Sequence, residues 1–104
     1  MKHKEQRPLT EAMFYTLMAV QKREICGTEI AEYVLNVTDG RVHLGPGTLY
    51  TILGKFLEDK LIQETDVYGR KRTYAVTEEG KAAYAAELCR LRQCIQDAEK
   101  EEET

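Results

Sequence analysis

Apolar residues recur along this chain with the helical period in four separate stretches. In the first, Leu9, Met13, Leu17 and Val20 stand at spacings of 4, 4 and 3, and Phe14 and Met18 widen the stripe. Thr10 is a capping residue and Glu11 suits the positive end of the helix dipole, so a helix is expected to about Lys22. A short connection over residues 22–27 leads to a second helix that begins at Gly27 or Thr28. Glu29 sits in its first turn, and Ile30, Ala31, Val34 and Leu35 form its buried face. Turn chemistry in Asn36-Val37-Thr38-Asp39-Gly40 ends it.

Residues 41–44 alternate and read as a very short strand before Gly45-Pro46-Gly47. Pro46 then suits the first position of a third helix, where its missing N–H costs nothing. Leu49, Ile52, Leu53, Phe56 and Leu57 give this helix one apolar face, ending near Lys60. Thr48, Thr51, Lys55 and Glu58 lie opposite, with Tyr50 at the margin, and Gly47 and Gly54 keep the solvent side low in bulk. Residues 61–67 and 71–76 read as a hairpin with Leu61, Ile62, Tyr74 and Val76 inward. Thr77 caps a last helix, in which Tyr84, Leu88, Leu91, Ile95 and Ala98 repeat at 4, 3, 4 and 3.

The predicted fold is therefore mainly α with a small β-hairpin, a winged helix-turn-helix plus a C-terminal dimerisation helix. Its parts are a flexible basic arm (1–8), the winged domain (9–77), the dimerisation helix (78–98) and a charged tail (99–104) that is expected to fray. In such a fold the third helix enters the major groove of duplex DNA. Thr48, Tyr50, Thr51 and Lys55 are its candidate contacts, the alternative being an ordinary solvated face. At the hairpin tip, Arg70, Lys71 and Arg72 are candidates for the phosphate backbone or minor groove, against a plain solvated charge run. A narrow apolar stripe after a completed small domain points to pairing with a second copy through Tyr84, Leu88, Leu91 and Ile95, rather than folding back.

Charge qualifies this picture. The chain of 104 residues carries a net charge of −3, which taken alone argues against a nucleic-acid partner. From residue 78 onward there are eight acids and four bases, a balance of −4, so residues 1–77 carry +1. Local field decides phosphate contact, and the grip is expected from a few residues rather than the whole surface. A winged-helix protein-interaction module without DNA binding is the alternative that the acidity favours. Cys26, Cys89 and Cys94 make an odd count without a C-x-x-C pair, and with His3 and His43 they form no metal pattern. Reduced small hydrophobes are the plain reading of these thiols, a redox sensor the remote one. The chain has no catalytic motif, no long apolar run and no secretory leader, so no enzyme, no cofactor, no membrane segment and a cytoplasmic location are expected.

Gly47-Thr48-Leu49-Tyr50, Lys60-Leu61-Ile62, Arg70-Lys71-Arg72-Thr73-Tyr74 and Thr77-Glu78-Glu79-Gly80 resemble the PadR family of bacterial transcriptional regulators. Leu9-Thr10-Glu11 and Gly27-Thr28-Glu29-Ile30-Ala31 resemble its first two helices, so the similarity spans about residues 9–95. The resemblance implies a homodimeric DNA-binding regulator, usually a repressor, released by a small molecule or another signal. The single C-terminal helix is similar to the family's compact branch, whose dimers hold flat aromatic compounds between subunits. A tryptophan on the last helix serves that purpose in the branch, and this chain has none. Tyr15, Met18, Tyr84 and Leu88 are left as candidates for an effector pocket or for plain packing.

Overall fold

The structure, a computed structural model, describes residues 7–69 and 71–103. Among these the order is α1 (Glu11–Lys22), β1 (Ile25–Cys26), α2 (Gly27–Val37), α3 (Pro46–Glu58), β2 (Ile62–Tyr68), β3 (Lys71–Val76) and α4 (Glu78–Glu102). This is a winged helix-turn-helix followed by a long helix. Arg70 and residues 1–6, which make up most of the expected basic arm, lie outside the described residues.

The local chemistry of each helix end accounts for its boundary. Thr10 accepts the Met13 N–H at 3.1 Å to start α1, and Gly45 and Pro46 start α3. Both α2 and α3 stop in paired bonds of the Schellman type. Gly40 N–H donates to Leu35 and Asp39 N–H to Asn36 at the end of α2; Leu61 and Lys60 repeat this with Phe56 and Leu57 after α3. The left-handed residues that these stops require are Asp39 (φ 53°) and Lys60 (φ 63°), neither a glycine.

The expected strand at residues 41–44 does not form. Thr38, buried, organises that stretch instead: its hydroxyl donates to Val34 O at 2.7 Å and accepts the Val42 N–H at 3.0 Å. Arg41 reaches back to α1, where it pairs with Glu11 and donates to the Tyr15 hydroxyl at 3.0 Å. The short strand lies earlier, at Ile25–Cys26, and pairs antiparallel with β3 (Ile25 opposite Tyr74, Cys26 opposite Thr73) to give sheet order β1-β3-β2. A bulge between Glu64 and Asp66 inserts Thr65, whose hydroxyl shares a 2.9 Å hydrogen bond with that of Thr73.

One core joins all these elements. Leu17 and Val20 of α1, Ile30 and Val34 of α2, Leu49, Leu53 and Phe56 of α3, and Ile62 and Tyr74 of the wing are buried together. Leu61 and Val76, also expected inward, are half-buried at the margin of this core. At the start of α4 the Thr77 hydroxyl accepts the Gly80 N–H at 3.0 Å and donates to Lys60 O at 2.7 Å. Gly80 is packed so closely that a Cβ there would stand 2.0 Å from the Leu61 carbonyl oxygen. Further along, α4 contributes Ala83 and Glu87 to the interior, and past Leu91 every described residue is exposed. The charged segment expected to fray is helical to Glu102, because it is built from strong helix formers.

Candidate nucleic-acid interface

β1 explains how the site is assembled. Its two residues tie the start of α2 to β3, so the first residues of β3 come to rest beside the α2 N-terminus. Together they make an open groove of about 420 Å³, lined by Cys26, Gly27, Thr28, Tyr50, Lys71 and Arg72. Three sequence segments far apart in the chain thus converge on one open concavity with two cations at its edge. Tyr50, Lys71 and Arg72 were expected; Thr28 and the backbone of Cys26 and Gly27 were not. The Gly27-Thr28 pair opening a helix is the signal that marks them, and it gains meaning only once β1 is seen to bring the wing there.

The four α3 candidates, Thr48, Tyr50, Thr51 and Lys55, are all exposed. Tyr50 is 55% exposed, unusual for a tyrosine at the edge of a core, and its ring tip lies against Gly27. Lys55 Nζ stands 3.7 Å from Asp59 at the C-cap of α3, a pair open enough to water to exchange partners readily. In the wing, Arg72 pairs with Glu64 at 2.9 Å, the two being diagonal neighbours on one face of the hairpin. Lys71 is exposed, begins β3 and faces the groove. Arg70 lies outside the described residues.

The electrostatics at the α2 N-terminus are set by Glu29. Its carboxylate accepts the Cys26 N–H at 3.2 Å, closing the first turn. Hydrogen bonding from Cys26, the backbone N–H first, holds the Glu29 carboxyl below its usual range, with Arg23 and Lys71 adding to the effect. Its negative charge therefore persists and is already engaged by the helix end. Tyr74, which underlies the wing, has its phenol pushed up, chiefly by burial.

The residues expected at a dimer seam divide into two groups. Tyr84, Leu88 and Leu91 are half-buried, and Ile95 is 57% exposed. Tyr84 stacks on Phe14 with ring centroids 5.2 Å apart and planes 8° from parallel, and burial raises its phenol pKa. Phe14 also meets Tyr15 edge-on at 5.7 Å, and Arg41 sits 5.9 Å from the Tyr15 ring centre. Of the expected effector-pocket residues, Tyr15 and Tyr84 thus join one aromatic chain through Phe14. Met18 and Leu88 are half-buried on the same two helices. Cys26 is buried and Cys89 and Cys94 are exposed; the described residues hold no cluster of metal-binding side chains. No helix among them is long and apolar enough to cross a membrane.

Comparison with known proteins bears on this arrangement. A family model described as the transcriptional regulator PadR-like family matches residues 16–86. Among curated proteins none matches the chain by sequence. Among solved structures, a transcriptional regulator from Clostridium thermocellum is 19% identical with a TM-score of 0.77, over 85% of this chain and 89% of that one. RosR from H. salinarum is 18% identical with a TM-score of 0.72, over 94% and 96%. PadR of Bacillus subtilis in complex with operator DNA is 21% identical with a TM-score of 0.68, over 78% of this chain and 48% of that one. At these identities the likeness is one of fold.

Proposed function

This chain belongs to the PadR-like family of transcriptional regulators, and from that premise we propose that it binds duplex DNA as a homodimer, repressing from a palindromic operator until a small aromatic effector releases it. The observation that carries the reading is the groove in which Tyr50 of α3, the start of α2 and Lys71 and Arg72 of the wing meet. A phosphate backbone lying across that groove would meet two cations and two hydroxyls, while Thr48, Thr51 and Lys55 face outward for the adjoining bases and phosphates. Operator DNA bound to the Bacillus subtilis relative supports the same partner. A two-fold axis through α4, with Tyr84, Leu88, Leu91 and Ile95 at the seam, would set two α3 helices one DNA turn apart. Tyr15, Met18, Tyr84 and Leu88 would line the effector's seat beside that seam. A sedimentation experiment returning monomer at every concentration would remove the dimer.

Lys71→Ala tests the wing. Removing one cation from the phosphate backbone reduces the slope of log affinity against log salt by about 0.9. The variant is expected to flatten the slope by about one such unit, and Arg72→Ala by less, because Glu64 already engages Arg72. An unchanged slope for Lys71→Ala would take the wing out of the interface. The second reading, a protein-interaction module without DNA binding, draws on the acids that pair with Lys55 and Arg72 and on the net charge of −3. Failure of the intact dimer to retain any genomic duplex at low salt would select it.

A further inference from the structure

We propose that Gly27 is a positioning residue for Tyr50: the missing side chain at the start of α2 is what lets the Tyr50 hydroxyl reach into the groove and contact a DNA phosphate. The inference rests on the DNA-binding reading and assigns a role to a residue that has no side chain of its own. Gly27 is buried at the first position of α2, and its φ is one that any residue adopts. Backbone freedom is therefore not the reason for a glycine here. Space is the reason. A Cβ at Gly27 would stand 2.9 Å from the Tyr50 hydroxyl oxygen, closer than such atoms approach, and 3.3 Å from Cζ, a tight contact.

The tip of Tyr50 thus rests against Gly27 while more than half of its surface stays in solvent. Its hydroxyl lines the groove with Thr28, Lys71 and Arg72, and no described residue hydrogen-bonds it. An exposed phenol that has no hydrogen-bond partner among the described residues and lies beside two cations is suited to donate to an anionic oxygen. An added methyl at Gly27 would meet the far end of a flexible side chain, so the hydroxyl would be displaced and the fold would survive. At a helix position with ordinary φ, alanine is neutral to stabilising.

The test is a double-mutant cycle in the full chain, with affinity for a mixed-sequence DNA duplex at low salt read by fluorescence anisotropy. Tyr50→Phe is expected to weaken binding about tenfold, the loss of one hydrogen bond to a charged acceptor. Gly27→Ala should weaken it by a similar factor while its thermal midpoint stays equal to or above that of the parent. In the Tyr50→Phe background, Gly27→Ala should add almost nothing. Equal losses in both backgrounds, or parent-like binding by Gly27→Ala, would overturn the pairing while leaving DNA binding intact. Absence of duplex binding by the parent chain would overturn the DNA reading and this role with it.

Discussion

Gly80→Ala is expected to destabilise the protein by about 3 kcal/mol or more, the largest single effect foreseen for a one-carbon change. Gly80 lies in the first turn of α4, where a Cβ would fall 2.0 Å from the Leu61 carbonyl oxygen and 2.6 Å from a Val76 methyl. The backbone carbonyl cannot step aside alone. Leu61 O also accepts the Thr77 N–H at 3.0 Å, and the Leu61 N–H closes the end of α3 on Phe56 O at 2.9 Å. Moving it would strain the cap of α3, the edge of the wing and the start of α4 together. Domains of this size rest on a margin of about 5–15 kcal/mol, so the variant should show a clear fall in its urea midpoint. A loss below about 1 kcal/mol would mean that α4 can tilt away at no cost.

Glu87 supplies the second large effect, and this one depends on pH. Only 2% of Glu87 is exposed, yet its carboxylate is satisfied by Arg90, through Nε at 3.0 Å and Nη2 at 2.6 Å, and by the backbone of Leu9. These donors, Arg90 foremost, hold its carboxyl below the usual range. A depressed carboxyl contributes stability above its unfolded value of about 4.3, and that contribution is lost as pH falls through the lower folded value. Glu87→Gln should therefore cost about 2–3 kcal/mol at neutral pH, and the variant and parent unfolding curves should converge in acid. A gap that is the same at all pH values would assign the loss to packing alone.

Glu87 also shows where sequence reading stops. The four amphipathic helices and the hairpin were legible because Leu17, Val34, Leu53 and Ile62 repeat with the period of their element and all are buried. A glutamate between Tyr84 and Leu88 looks solvated, and nothing local says that a backbone N–H from Leu9 comes to meet it. β1 escaped for a different reason: Ile25 and Cys26 are too few to display a period, and their pairing with Thr73 and Tyr74 is purely tertiary. The strand expected at residues 41–44 had the alternation of a strand, but the Thr38 hydroxyl took the hydrogen bonding of that segment first. At the site, the exposure of Thr48, Tyr50, Thr51, Lys55, Lys71 and Arg72 followed from helix phase and hairpin position. The pairing of Lys55 with Asp59 follows the i,i+4 spacing of a helix, whereas that of Arg72 with Glu64 and the approach of Tyr50 to Gly27 depended on tertiary distances and strand register.

The junction at Thr77 and Gly80 has a mechanical consequence. α4 runs for 25 residues, about 37 Å, and only its first half is seated on the domain. It is a beam clamped up to Leu91, by the Thr77 cap at its root and by the stacking of Tyr84 on Phe14, with the rest overhanging for about 16 Å. A bend of about 10° where it leaves the domain would carry the free end through roughly 3 Å, while the Lys60 carbonyl, held at 2.7 Å by Thr77, would hardly move. Displacements at the exposed end are thus geared down before they reach α3. With no side chain at Gly80 to act as a cushion, the joint transmits what remains without slack.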